Sequence, residues 1–138
     1  MENQQLVTPE IAQRDLGKWL DNKKIPQKKR EQHQDALDTI IDGLVSGSLI
    51  IGEDCTIEHK LSFPLQDDHG NVVKASLTYK PRITIKALSL RLKNVAPSNV
   101  DGRLLAYAAC ITGNSPELLG NLDTVDQGLV YAIVSFFL

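Results

Sequence analysis

Three histidines, two cysteines and two groups of neighbouring carboxylates are the residues on which acid–base, nucleophilic or metal chemistry would have to rest in this chain. His33 falls in a polar helical stretch and reads as a solvated side chain. His59 sits on the apolar phase of an alternating segment, where a half-buried structural histidine is expected. His69 shares a turn with Asp67 and Asp68, three metal-ligand types on one loop. Turn chemistry accounts for the whole run Asp67-Asp68-His69-Gly70-Asn71, because Asp and Asn bond their own backbone and Gly supplies a positive φ. No second ligand cluster accompanies it at the spacing of the common metal sites. Cys55 and Cys110 are far apart and lack knuckle or redox-pair spacing, so both read as reduced thiols, Cys110 as a small core residue. Asp123 and Asp126 share one face at a helix start, where capping and the helix dipole explain them. There is no nucleophile elbow, phosphate-binding loop or dinucleotide fingerprint. The expectation is a non-enzymatic protein with no catalytic residues, no cofactor and no metal.

The elements that must position these residues are legible in hydrophobic period. Thr8-Pro9-Glu10 opens a helix over 9–20, with Ile11, Ala12, Leu16, Trp19 and Leu20 on one face. That stripe reads as a helix packed on its own domain or, given the single Trp, as a docking element for another subunit. A second helix is expected over 26–46, polar for two turns and therefore projecting before it meets the core. From Ser48 the period changes to two. The alternation of Ile57, His59, Leu61 and Phe63, and again of Val73, Ala75, Leu77 and Tyr79, predicts a hairpin over 55–79, with the run 49–51 as a candidate third strand. The stretch 81–95 carries both periods and is read as a helix over about 84–95 capped by Thr84. Helices are expected over 98–112, capped by Ser98, and 124–137, capped by Asp123 or Thr124. The fold class is α+β, a mostly helical domain with a small antiparallel β-hairpin. Residues 1–47 are read as an N-terminal helical arm whose first residues are disordered, and 48–138 as the main domain.

With 42% hydrophobic and 23% charged residues and a net charge of −2, the chain belongs to the ordinary globular class, and its bulk charge demands neither nucleic acid nor an anionic membrane. No apolar run reaches transmembrane length, and the polar start lacks a signal-peptide core, so a cytoplasmic protein is expected. The basic run Lys23, Lys24, Lys28, Lys29 and Arg30 is read as a solvated helix end, because no aromatics are interleaved with it.

What remains is apolar surface. The chain closes on Phe136, Phe137 and Leu138, three large apolar residues that cannot all face the core from one helix. With Leu129, Ile133 and Trp19 they form the expected partner-binding set. The same C-terminal stretch carries a resemblance. Ile111-Thr112-Gly113-Asn114-Ser115, then Leu118-Leu119, Leu122-Asp123-Thr124-Val125-Asp126, and Leu129 through Phe136-Phe137-Leu138 resemble the C-terminal signature of phage tail assembly chaperones. Upstream, His59-Lys60-Leu61-Ser62-Phe63-Pro64-Leu65 and a strand ending Tyr79-Lys80-Pro81 are similar to the segment preceding that signature.

The resemblance implies a holdase in the host cytoplasm that coats the tape measure protein of a tailed phage or prophage and leaves during assembly. It implies self-association along a long helical client, with apolar anchors set between helices. Residues 1–47 lie outside it. Two other classes share parts of the pattern. A minor structural protein of the tail would remain in finished particles, and a nucleic-acid-binding regulator would use 23–30 and bind with steep salt dependence.

Overall fold

Thr8 opens the first helix: its Oγ1 accepts from the Ile11 N–H at 3.2 Å while Pro9 occupies a first-turn position that needs no donor. The computed structural model describes residues 7–138. Helix α1 (Pro9–Asn22) is followed by α2 (Gln27–Gln32) and α3 (Gln34–Ser46). Strands β1 (Leu49–Ile51), β2 (Ile57–Gln66) and β3 (Val72–Tyr79) come next, then α4 (Ile85–Leu92), α5 (Val100–Thr112), α6 (Pro116–Leu119) and α7 (Thr124–Val134). The domain is mostly helical α+β, as the periodicity predicts.

The strands form one antiparallel sheet in the order β1-β2-β3. Leu49 pairs with His59, and Ile57 pairs with Tyr79, so the run 49–51 does join the hairpin. Residues 57, 59, 61 and 65 of β2 point inward, on the side where β2 meets α6 and α7, while β3 meets α5. Between Lys60 and Leu65 the register with β3 shifts, where Phe63 and Pro64 interrupt the ladder. Pro has no N–H to give a neighbouring strand, which is why it falls in a bulge.

One cluster of buried side chains runs from Ala12 and Trp19 through Ile40 and Leu44, the sheet residues Ile57, Leu65 and Leu77, and on to Ile111, Ile133 and Phe136. The residues expected to form an N-terminal arm therefore share the core of the rest, with α1 and α3 packed against β1 and α3 against α7. Gly43 permits that last contact, since a Cβ there would lie 2.9 Å from Leu49 Cδ1 and 3.1 Å from Leu129 Cδ2. The expected disordered start falls mostly outside the described residues. Val7 itself is half-buried against the core.

Several boundaries differ from the expectation for local reasons. The helix expected over 26–46 breaks at His33, whose φ of −112° and ψ of 35° leave the helical region. Its polar first half does not project: Arg30 ties back to the Ile25 carbonyl at 2.9 Å and to Asp21, and Lys29 Nζ donates to the Leu138 carbonyl at 2.7 Å. His33 stands edge-on to Phe136, with ring centroids 5.5 Å apart, so it is half-buried rather than fully solvated. The cap of α5 is Asn99, one residue beyond Ser98, accepting from the Gly102 N–H. The loop before α7 hides the short helix α6, capped by Ser115. Helix α7 ends at Val134, and the last residues turn back on themselves through Phe136 N–H to Ile133 O and Phe137 N–H to Val134 O. Thr84 caps α4 by accepting from the Ala87 N–H at 3.1 Å, which resolves the ambiguous stretch as a helix over Ile85–Leu92, three residues shorter at its end than expected.

Candidate functional site

Two polar links hold the β2 bulge against the start of α7. Asp126 Oδ1 accepts from the Ser62 N–H at 2.8 Å and Oδ2 from the Phe63 N–H at 3.0 Å. These are the donors that the shifted register leaves without a ladder partner. Farther along, Asn121 Nδ2 donates to the Gln66 carbonyl at 3.0 Å and to Asp68 Oδ1 at 3.1 Å. Between the two links lies a surface groove of about 400 Å³ lined by Phe63, Pro64, Gln66, Asn121, Leu122, Asp123 and Thr124. Phe63 is 53% exposed and Val125, beside Asp126 in sequence, is 60% exposed. Asp123 caps α7 by accepting from the Val125 N–H at 2.9 Å. Apolar anchors with carboxamide, hydroxyl and carboxylate neighbours suit a surface that seats a side chain of a partner helix and satisfies its polar rim.

Behind the groove Asp126 belongs to a sealed polar cluster. His59 and Tyr79 are buried, and His59 Nδ1 lies 2.9 Å from the Tyr79 hydroxyl. Burial pushes the tyrosine pKa far up, and the nearby Asp126 charge adds to it, so the phenol stays protonated and donates to Nδ1. That assigns the ring proton to Nε2, which stands 3.9 Å from Asp126 Oδ1 and makes no hydrogen bond. Burial lowers the His59 pKa, opposed in part by Asp126. Closed to solvent, the cluster can hold β2 on α7, and no substrate reaches it.

The residues expected to bind a partner divide sharply. Trp19, Ile133 and Phe136 are core residues, with Trp19 fully out of solvent. Trp19 meets Phe136 edge-on at 6.0 Å and Phe137 at 6.1 Å, while Lys23 Nζ lies 3.3 Å from the Phe137 ring centroid. Burial, helped by Arg82 and Lys29, lowers the Lys23 pKa to about 8. Leu129 is half-buried and faces α3, and Phe137 is half-buried under Lys23. Leu138 alone of the set is open, at 55%. The terminal apolar run is thus mostly the seal between α1, α2 and α7, a correction to its reading as a docking surface. A turn after Val134 swings Phe136 inward, which helical spacing cannot anticipate.

Sequence spacing gives Asp126 only a place at a helix start, and it puts Phe63 on the inward phase of its strand and Val125 on the buried face of its helix, whereas both are exposed. A Phe-Pro pair inside an alternating strand was the available signal, because proline there implies a bulge and leaves the preceding side chain off the ladder. In the Asp67 turn the carboxylate accepts from the His69 and Asn71 N–H groups. No cluster of three or more His, Cys, Asp or Glu able to hold a metal occurs among the described residues. Nor is any helix among them long and apolar enough to cross a membrane. No family model, no curated protein and no solved structure matches the chain.

Proposed function

We propose that the chain is a non-enzymatic assembly chaperone of the phage tail, binding the tape measure protein in the host cytoplasm and keeping it soluble until tail tube subunits surround it. The observation that carries this reading is that the two resembling stretches meet at one groove, Phe63 and Pro64 from the first and Leu122, Asp123 and Thr124 from the second, and are tied together by the bonds from Ser62 and Phe63 to Asp126. The groove offers Phe63, Pro64 and Leu122 as apolar contacts for an amphipathic client helix, and Val125, next to the groove residue Thr124 in sequence, is exposed as a further one. No chemistry is required, only reversible cover of apolar surface, and several copies would sit along one client.

Co-expression with the tape measure protein of the same genome tests it. The expected result is a client that moves to the soluble fraction and carries several copies of this chain on pull-down. A client that stays insoluble and unbound overturns the proposal. Recovery of the chain from purified virions assigns it instead to the tail structure.

A further inference from the structure

Charge is segregated along this chain far more than its net value of −2 suggests. Residues 31–59 contain seven carboxylates, Glu31, Asp35, Asp38, Asp42, Glu53, Asp54 and Glu58, and no Lys or Arg. All seven are exposed, on α2, α3, the turn after β1 and the outer face of β2. Asp35, Asp38 and Asp42 follow one another at three and four residues and so form a stripe on α3. Residues 80–103 hold the opposite balance, six cations against Asp101, a local charge of +5. Of these, Lys80, Arg82, Lys86 and Lys93 are exposed. Lys80 and Arg82 line a groove of about 330 Å³ beside α4, and Lys80 and Arg91 both lower the pKa of the buried Cys110 thiol that burial raises. No member of the basic group forms an ion pair among the described residues.

Each surface also carries apolar side chains without cover. In the basic region Ile85 is 84%, Leu90 71% and Val100 64% exposed, and α4 has no buried residue. In the acidic region Ile50, on edge strand β1, is 58% exposed. A helix that packs on α5 only through half-buried side chains while presenting isoleucine and leucine among cations is suited to a partner that is acidic with an apolar centre. The chain contains such a surface itself, on separate elements.

We propose that copies of this chain associate head to tail, the basic region around α4 of one copy seating on the acidic α3 and β1 surface of the next. Because the two patches differ, the contact is heterologous and repeats into a line or ring rather than closing as a two-fold dimer. The patches share no residue with the groove at Phe63, so self-association stands or falls separately from client binding. Few exposed apolar residues supply the contact, and electrostatics dominates it.

Light scattering and sedimentation of the full chain test this across salt and protein concentration. Association is expected at ~0.01 M salt, where the Debye length is about 30 Å, and loss of it at ~1 M, where it is about 3 Å. Two charge-reversed variants are informative: Arg82→Glu/Lys86→Glu/Lys93→Glu, and Asp35→Lys/Asp38→Lys/Asp42→Lys. Each alone is expected to be monomeric and folded by circular dichroism. Mixed, they regain pairing, since the acidic faces of the first match the basic faces of the second. A monomeric wild type at low salt, or a mixture of folded variants that fails to pair, overturns the proposal. So does a monomer that instead binds short duplex DNA through Arg82, Lys86 and Lys93.

Discussion

His59 Nε2 and Asp126 Oδ1 face each other across 3.9 Å of buried space without a hydrogen bond, the one buried side-chain nitrogen or oxygen left unpartnered among the described residues. A neutral imidazole tolerates that geometry, whereas a protonated one would need better solvation than the core supplies. The pair makes the packing of β2 on α7 sensitive to acid.

Burial holds the His59 pKa below 6.5 in the fold. Below pH 6.5 the unfolded chain therefore takes up a proton that the native state refuses, and stability falls as pH drops through that window. Urea midpoints measured from pH 7.5 downward should decline for the wild type and stay flatter for His59→Gln. The exposed Asp54 and Asp67, lowered by hydrogen bonds from Thr56 and Asn71 respectively, act only near and below pH 3.8, outside this window. Equal pH slopes for wild type and variant would assign the effect elsewhere.

Asp126→Ala strands the Ser62 and Phe63 N–H groups and should cost about 3 kcal/mol by chemical denaturation. Asp126→Asn retains one acceptor and should lose about half of that. Tyr79→Phe leaves His59 Nδ1 without its partner and should cost about 1–2 kcal/mol.

The C-terminal residues separate core from surface. Phe136→Ala and Trp19→Ala should each destabilise by about 3–5 kcal/mol, since both are buried against each other. Leu138→Ala should stay within ~0.5 kcal/mol. Thermal unfolding of the three variants checks the order, and a Leu138 effect as large as that of Phe136 would contradict the packing.

Glycines on two helices should respond in opposite directions when urea midpoints of their alanine variants are measured. Gly43→Ala drives a methyl into Leu49 and Leu129 and should cost about 1–3 kcal/mol through forced repacking. Gly17, on α1, has open space where a Cβ would stand, with nothing within 4 Å, so Gly17→Ala should stabilise by roughly 0.5–1 kcal/mol.

Phe63→Ser in the groove and Val125→Asp on the exposed start of α7 should leave the unfolding midpoint nearly unchanged while reducing client recovery tenfold or more, as expected for exposed apolar anchors. Unchanged recovery with either variant would place the client elsewhere on the surface.

Much of the architecture was legible because its causes are local. Thr8, Thr84 and Asp123 each cap a helix by accepting from an N–H two or three residues on, and Gly47 and Gly113 end theirs with positive φ. Alternation placed β2 and β3, and the Asp67 turn closed as its side chains dictate. The break at His33 and the helix α6 escaped, since neither leaves a strong period over so few residues.

The candidate site was less visible, because its members are brought together from distant parts of the chain. By itself the sequence determined element type, most caps, the α+β class and the separation of acidic from basic segments, all properties of neighbours along the backbone. Only tertiary structure decided that Asp126 bonds Ser62 across 64 residues, that Trp19 receives Phe136, and that Phe63 stays outside. Those outcomes depend on which buried donors lack a partner and which surfaces fit once the helices close on the sheet, and no local spacing encodes that.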